Sequence, residues 1–157
     1  ADDAEALLHR PREITDNATP CGASALTSAL LTASVLVAEP ARYRDAAEAA
    51  LRGAGSLAER YPRFAGHWLT AAEALLRGPL QVAVVGAADA RRPLLERARR
   101  LAPGGSVIVA GTPASTGVPL LADRPLVNGG PAAYVCRGFV CDRPVTTPDE
   151  LAAQLGR

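Results

Sequence analysis

The feature that most restricts the fold of this chain is a change in the period of its apolar residues at Gly78-Pro79. Before this point apolar residues recur every three or four positions, which is typical of amphipathic helices. Directly after it comes "LQVAVVG", a continuous apolar run rich in β-branched residues, which is typical of a strand covered on both faces. The sequence therefore predicts a helical segment over residues 1–77 and a small α/β segment over residues 78–157.

Three helices are predicted in the first segment. Thr19 is the expected N-cap of the first helix, with Pro20 at its first helical position. Pro40 begins the second helix after a short link, so the first two helices should pack antiparallel, and Pro62 separates the second helix from the third. The apolar face predicted for the first helix consists of Leu26, Leu30, Leu31, Ala33, Val35 and Val37.

The second segment predicts a three-stranded, mainly parallel sheet. Its strands are "LQVAVV", "SVIVAG" and "AAYVC", and a helix from Pro93 to Leu101 lies between the first two. A strand–helix–strand order favours a parallel pair. The last helix begins with "TTPDEL", where Thr147 is the N-cap and Glu150 closes a capping box.

Composition excludes several classes of function. The 157 residues carry a formal net charge of +1, the arginines are scattered along the chain and aromatic residues make up 4%, so neither a basic stripe nor stacking platforms for nucleic acid are visible. No apolar run reaches the ~18 residues that a membrane span needs. Since the start resembles no signal peptide, we expect a cytoplasmic protein, and since Met is absent, a cut or processed chain. Lys is absent while Ala, Arg and Gly are plentiful, which indicates a GC-rich bacterial genome.

The pair Cys136 and Cys141 leaves several interpretations open. Dithiol catalysis of the thioredoxin type needs two intervening residues and a thiol at a helix N-terminus, whereas four residues intervene here and the next helix begins later. A structural zinc site needs four ligands, and Cys21, His9 and His67 all lie in the other segment, so no metal is predicted.

What remains for this pair is free, buried thiols or a local bridge. Free thiols are favoured in a reducing compartment. A bridge requires the loop to bring the two Cα atoms within ~7 Å. We expect Cys136 to end the third strand and Cys141 to lie in the loop beyond it, with both largely buried.

Two further stretches are candidate sites. Gly86 ends the first strand before a helix and could bind phosphate through backbone amides. The dinucleotide fingerprint needs three glycines and a Walker motif needs Lys, so a tight turn is the simpler interpretation. In "DNATPCGAS", Asp16 and Asn17 precede the first helix. They either organise the start of that helix or act on a ligand, and replacing Asp16 should cost only about 0.5–2 kcal/mol.

Two segments together resemble one family. "DNATPCGAS" resembles the element D-N-x-x-P-S-G-N-S, and "AYVCRGFVCDRPVTTPDEL" resembles the terminal element Y-V-C-x-x-x-x-C-x-x-P-V-T of the thioredoxin-domain-containing proteins related to spermatogenesis-associated protein. In that family a thioredoxin-like domain precedes an (α/α) toroid similar to N-acylglucosamine 2-epimerase. The matching residues are Asp16, Asn17, Pro20, Gly22, Ser24, Tyr134, Val135, Cys136, Cys141, Pro144, Val145 and Thr146.

The resemblance implies that this chain is a non-autonomous C-terminal part that completes such a toroid. It implies a cavity for a carbohydrate-like ligand, with Asp16, Asn17 and Ser24 at the rim. Cys21 and Ala23 depart from the element, and Ala23 removes an amide contact to a sugar. The expected partners are the rest of the parent chain or another copy, with no cofactor, and the reaction is left open. The alternatives are a redox accessory module at the cysteine pair and a phosphate- or nucleotide-binding module at Gly86.

Overall fold

A computed structural model describes residues 12–37, 39–113, 115, 117–138 and 140–156. Within these residues helices and a sheet are combined, as the sequence predicts, and no helix is both long and apolar enough to cross a membrane. The elements are α1 (Gly22–Leu36), α2 (Pro40–Arg60), α3 (Gly66–Arg77), β1 (Leu80–Val85), α4 (Ala88–Leu101), β2 (Val107–Gly111), β3 (Ala132–Arg137), β4 (Val140–Cys141) and α5 (Pro148–Leu155).

The sheet is mixed and has four strands in the order β2-β1-β3-β4. β1 pairs in parallel with β2, but β3 runs antiparallel to both β1 and β4. The prediction of a three-stranded, mainly parallel sheet is therefore wrong. The described part of the connection from β2 to β3 holds only a short 3-10 turn, Pro119–Leu121, and no helix that would carry the chain back across the sheet. β3 consequently starts at the edge where β1 ends, with Ala132 opposite Val85.

Both faces of the sheet are covered, and every residue of β1 is buried, which confirms the sequence prediction for this strand. One face packs against α4 and α5 through Leu94 and Leu151. The other face packs against the C-terminal end of α1 and the 3-10 turn through Val35 and Leu120. The end of α1 thus shares a core with the sheet.

Two predicted helix starts are corrected. α1 begins at Gly22 and not at Pro20, because the chain stays extended through Cys21, which is the N-cap in place of Thr19. α4 begins at Ala88, five residues before the predicted start, and Pro93 lies inside it. The predicted capping box at the start of α5 is confirmed.

The three helices before the sheet pack around small side chains. Ala47 of α2 and Ala71 and Ala74 of α3 surround Leu31 of α1. Ala54, Ala65 and Trp68 form a second cluster with Cys21. The described residues in this part contain only these three α-helices and a short 3-10 turn, Pro62–Phe64, and no toroid is formed by them.

The buried face of α1 agrees with the predicted one except at Leu26. Leu26 is 60% exposed, while Leu31 and Val35 are buried as expected. Three hydroxyl residues lie on the buried side with them: Ser24, Thr27 and Ser34.

Candidate functional site

The carboxylate of Asp16 lies between the N-termini of two helices. Its Oδ1 accepts hydrogen bonds from the backbone N–H of Cys21 at 2.9 Å and from the hydroxyl of Ser24 at 2.6 Å. Its Oδ2 accepts from the backbone N–H groups of His67 at 2.8 Å and Trp68 at 3.3 Å. The side chain therefore caps α1 and α3 together, although the two starts are more than forty residues apart.

Asp16 is 5% exposed, and its charge is stabilised by these donors. Burial on its own raises the pKa of the carboxyl, but the hydrogen bonds from Ser24, Cys21, Trp68 and His67 favour the charged form and outweigh it. The pKa of Asp16 consequently lies below its ordinary value. Four donors occupy the roughly four acceptor positions of a carboxylate, so the geometry favours the capping interpretation.

The other two predicted ligand residues have different surroundings. Asn17 is exposed, and its backbone N–H donates to the carbonyl of Thr19 at 3.1 Å. Ser24 is fully buried, and its hydroxyl lies within hydrogen-bond distance of Asp16 and of the carbonyl of Cys21 at 3.1 Å. Of the three residues assigned to a ligand rim, Asn17 alone has a side chain on the surface, and their contact with a ligand stays a prediction.

Gly86 forms a tight turn between β1 and α4. Its N–H donates to the carbonyl of Gly111 at 3.0 Å, and its own carbonyl accepts from Nη1 of Arg91 at 2.5 Å. Its φ of 140° suits glycine, and an added Cβ would lie 2.8 Å from Cβ of Pro131. With its amide occupied and Pro131 beside it, Gly86 offers no open cradle for a phosphate, so the geometry favours the turn interpretation.

Cys136 and Cys141 are joined by a disulfide, so the preference for free thiols is wrong. The two residues face each other across β3 and β4, because β3 ends at Arg137, one residue after the predicted end, and the chain then turns back into β4. Cys141 consequently lies on β4. Cys136 is 1% exposed and belongs to the core of the sheet, whereas Cys141 is only partly buried. Cys21, the third cysteine, is buried and unbridged.

Arg124 contacts both sulfurs of this disulfide. Its Nη2 lies 3.0 Å from Sγ of Cys141 and 3.9 Å from Sγ of Cys136. The guanidinium also lies over the ring of Tyr134, 5.5 Å from the ring centre. Burial raises the pKa of the Tyr134 phenol, and the positive charge of Arg124 opposes that rise. Sequence reasoning missed Arg124, because no motif relates an arginine in an irregular connection to cysteines 12 and 17 positions later.

No three His, Cys, Asp or Glu side chains of the described residues lie close enough together to hold a metal ion. His67 has its Nε2 at 2.9 Å from Oγ of Ser28, and His9 lies outside the described residues. No protein-family model, curated protein or solved structure matches this chain.

Proposed function

We propose that this chain is the C-terminal part of a larger (α/α) toroid protein, in which α1–α3 belong to the ring of helices. In this proposal the ring encloses a cavity for a carbohydrate-like ligand, with Asn17 at its rim. Asp16 and Ser24 hold the loop that carries Asn17. The two sequence elements suggest the family, and the outer face of α1 is the observation that carries the proposal.

The 15 residues of α1 include no charged side chain. Its exposed residues lie on one side of the helix, and five of the six are Gly, Ala or Leu: Gly22, Ala23, Ala25, Leu26, Ala29 and Thr32. A helix at a protein surface normally carries charged or polar residues on its outer side. The outer face of α1 therefore has the composition of a surface that packs against other helices, and small residues allow close approach of a neighbouring backbone.

A second apolar area supports the same proposal. A groove of about 510 Å³ between α2 and α3 is lined in part by Leu51, Leu75 and Leu76, and the Leu76 side chain is 86% exposed. Leu69 lies on the same face of α3 as Leu76 and is 45% exposed. Apolar surface at several places on α1–α3 fits a segment with neighbours on more than one side.

The proposal is tested by adding one charge to the outer face of α1. The chain on its own should self-associate or bind an apolar dye at micromolar concentration, measured by sedimentation and by dye fluorescence. Ala29→Glu should reduce either signal at least twofold, because the charge falls in the middle of the apolar face. Ala49→Glu is the matched control, since Ala49 is exposed on α2 among charged residues, and it should leave both signals unchanged.

A stable monomer that binds no dye would contradict the proposal and favour a self-contained domain. Self-association that Ala29→Glu and Ala49→Glu reduce equally would also contradict it, because the outer face of α1 would then have no special role.

A further inference from the structure

Arg124 is a half-buried cation that forms no ion pair with a carboxylate among the described residues. Its Nη1 donates to the carbonyls of Ala122 at 3.0 Å and Asp123 at 3.4 Å, while its Nε is buried and has no hydrogen-bond partner. The ion pairs found among the described residues do not include Arg124. Taking a charge out of water is costly unless an opposite charge or strong hydrogen bonds compensate it.

The group that Arg124 does approach is the disulfide. Nη2 is 3.0 Å from Sγ of Cys141, close enough for an ion pair if that sulfur carried a charge. In the disulfide both sulfurs are neutral, and after reduction a thiolate at Cys141 would supply the missing negative charge. A neighbouring cation is one of the arrangements that stabilise a thiolate and make a cysteine reactive.

We propose that Cys136, Cys141 and Arg124 form a thiol–disulfide exchange site, in which Cys141 is the attacked sulfur and Arg124 stabilises its thiolate. The assignment of Cys141 follows from exposure, since Cys141 is only partly buried and Cys136 is 1% exposed in the core of the sheet. The site does not depend on the toroid proposal, because all three residues lie outside α1–α3.

The substrate class is a dithiol. A thiolate of the dithiol attacks Sγ of Cys141 and forms a mixed disulfide, while the bond to Cys136 breaks and the Cys136 thiolate takes a proton. The second thiol of the reductant loses its proton and attacks the reductant sulfur of the mixed disulfide. This step releases the Cys141 thiolate beside Arg124 and leaves the reductant as a disulfide. Two electrons pass from the dithiol to the cysteine pair.

Other charged and titratable groups around Cys141 are Tyr134 and Arg137 on β3 and Asp142, the next residue in the chain. Arg137 and Asp142 are exposed and opposite in sign, so solvent screens both and their effects on the thiolate oppose each other. Arg137 thus provides a matched control, because it has the same charge as Arg124 and is next to Cys136 but contacts neither sulfur among the described interactions.

The test measures how fast the reduced chain is alkylated by iodoacetamide at pH 7, and which cysteine is modified first by mass spectrometry. All variants carry Cys21→Ser, which removes the third thiol and keeps a side-chain acceptor at the N-cap of α1. Arg124→Met should be alkylated about threefold to tenfold more slowly, because the thiolate fraction falls while the remaining thiolate becomes somewhat more nucleophilic. Arg137→Met should stay within about twofold of the parent rate, since solvent screens its charge.

Cys141 should be modified before Cys136, and after air oxidation dithiothreitol should convert one disulfide to two thiols. Arg124→Lys keeps the charge and should react at a rate between those of the parent and Arg124→Met. The proposal is overturned if Arg124→Met reacts as fast as the parent, if Cys136 is modified first, or if the oxidised chain forms no disulfide. A folded Arg124→Lys variant as slow as Arg124→Met would also overturn it, because Arg124 would then act through packing alone.

Discussion

Replacing Asp16 by Ala should destabilise the chain far more than the loss of a single helix cap. Each lost N-cap costs about 0.5–2 kcal/mol, and Asp16 caps both α1 and α3. A buried donor left without a partner costs about 1–3 kcal/mol, and the backbone N–H of Trp68 is one such donor. We therefore expect a loss of about 3–5 kcal/mol in the free energy of unfolding, a large share of the roughly 5–15 kcal/mol of a typical domain.

The loss is measured by urea unfolding followed through the fluorescence of Trp68, which is the single Trp of the chain and is 3% exposed. For a chain of this length the melting temperature should fall by about 10 °C. Asn17→Ala is the matched control, because Asn17 is the next residue and is exposed, and it should change stability by no more than about 0.5 kcal/mol. A loss below about 1 kcal/mol for Asp16→Ala would refute the double-cap reasoning and restore the smaller cost expected from the sequence.

The same pair of proteins gives a pH test with a definite sign. Hydrogen bonds hold the pKa of Asp16 below its ordinary value in the folded chain. The stability that the carboxylate contributes is therefore complete above about pH 3.9, the value of an unperturbed Asp, and is lost as the pH falls through the lower folded pKa. The difference in stability between the wild type and Asp16→Ala should narrow in acid. A difference that widens as the pH falls would contradict the assignment of the charge.

Two further predictions concern the α/β part. Gly86→Ala should lower the free energy of unfolding in urea by about 3 kcal/mol, because a Cβ there adds backbone strain and overlaps Pro131. Inorganic phosphate should leave the melting temperature of the wild type unchanged. A rise with phosphate would restore the phosphate-binding interpretation. Thr147→Ala should lower the free energy of unfolding by about 1 kcal/mol, since the Thr147 hydroxyl accepts a hydrogen bond from the N–H of Glu150 in the capping box. An unchanged stability would mean that this cap does not stabilise the folded chain.

Features set by neighbouring residues could be predicted from the sequence. The apolar run of β1 indicates burial on both faces, and the run is buried throughout. The capping box of α5 depends on two side chains three positions apart, Thr147 and Glu150, and it forms as expected. In both cases the residues that decide the structure lie within one element, so their spacing carries the information.

Features that depend on distant contacts could not be predicted. The residues of β3 are compatible with either strand direction, and the direction follows from a connection that lacks a crossover helix. The position of Asp16 in the sequence indicates that it can organise the start of α1, but nothing near it in sequence shows that α3 begins beside it. Arg124 reaches the cysteine pair because the irregular connection packs against the sheet face on which Cys136 lies.

The orientation of α1 is the most informative of these differences, because periodicity identifies an apolar face without saying what that face contacts. The buried side includes Ser24, Thr27 and Ser34, whose hydroxyls are all satisfied within the chain. Thr27 and Ser34 donate to backbone carbonyls of α1 itself, at 2.8 and 2.7 Å. Hydroxyls bonded in this way cost little to bury, so they can lie beside Leu31 and Val35 on the inward side of α1.

Leu26 is then left on the outer face of α1, and that face contains no charged residue. If the outer face of α1 were exposed to solvent in the whole protein, we would expect charged residues on that face. Leu26 would then be expected on the face that packs against the core. The observed inward side holds three satisfied hydroxyls beside Leu31 and Val35, while the outward side is mostly apolar and carries no charge. A helix with neighbours on both sides accounts for both observations at once, and this is why the outer face of α1 carries the proposal for the role of the chain.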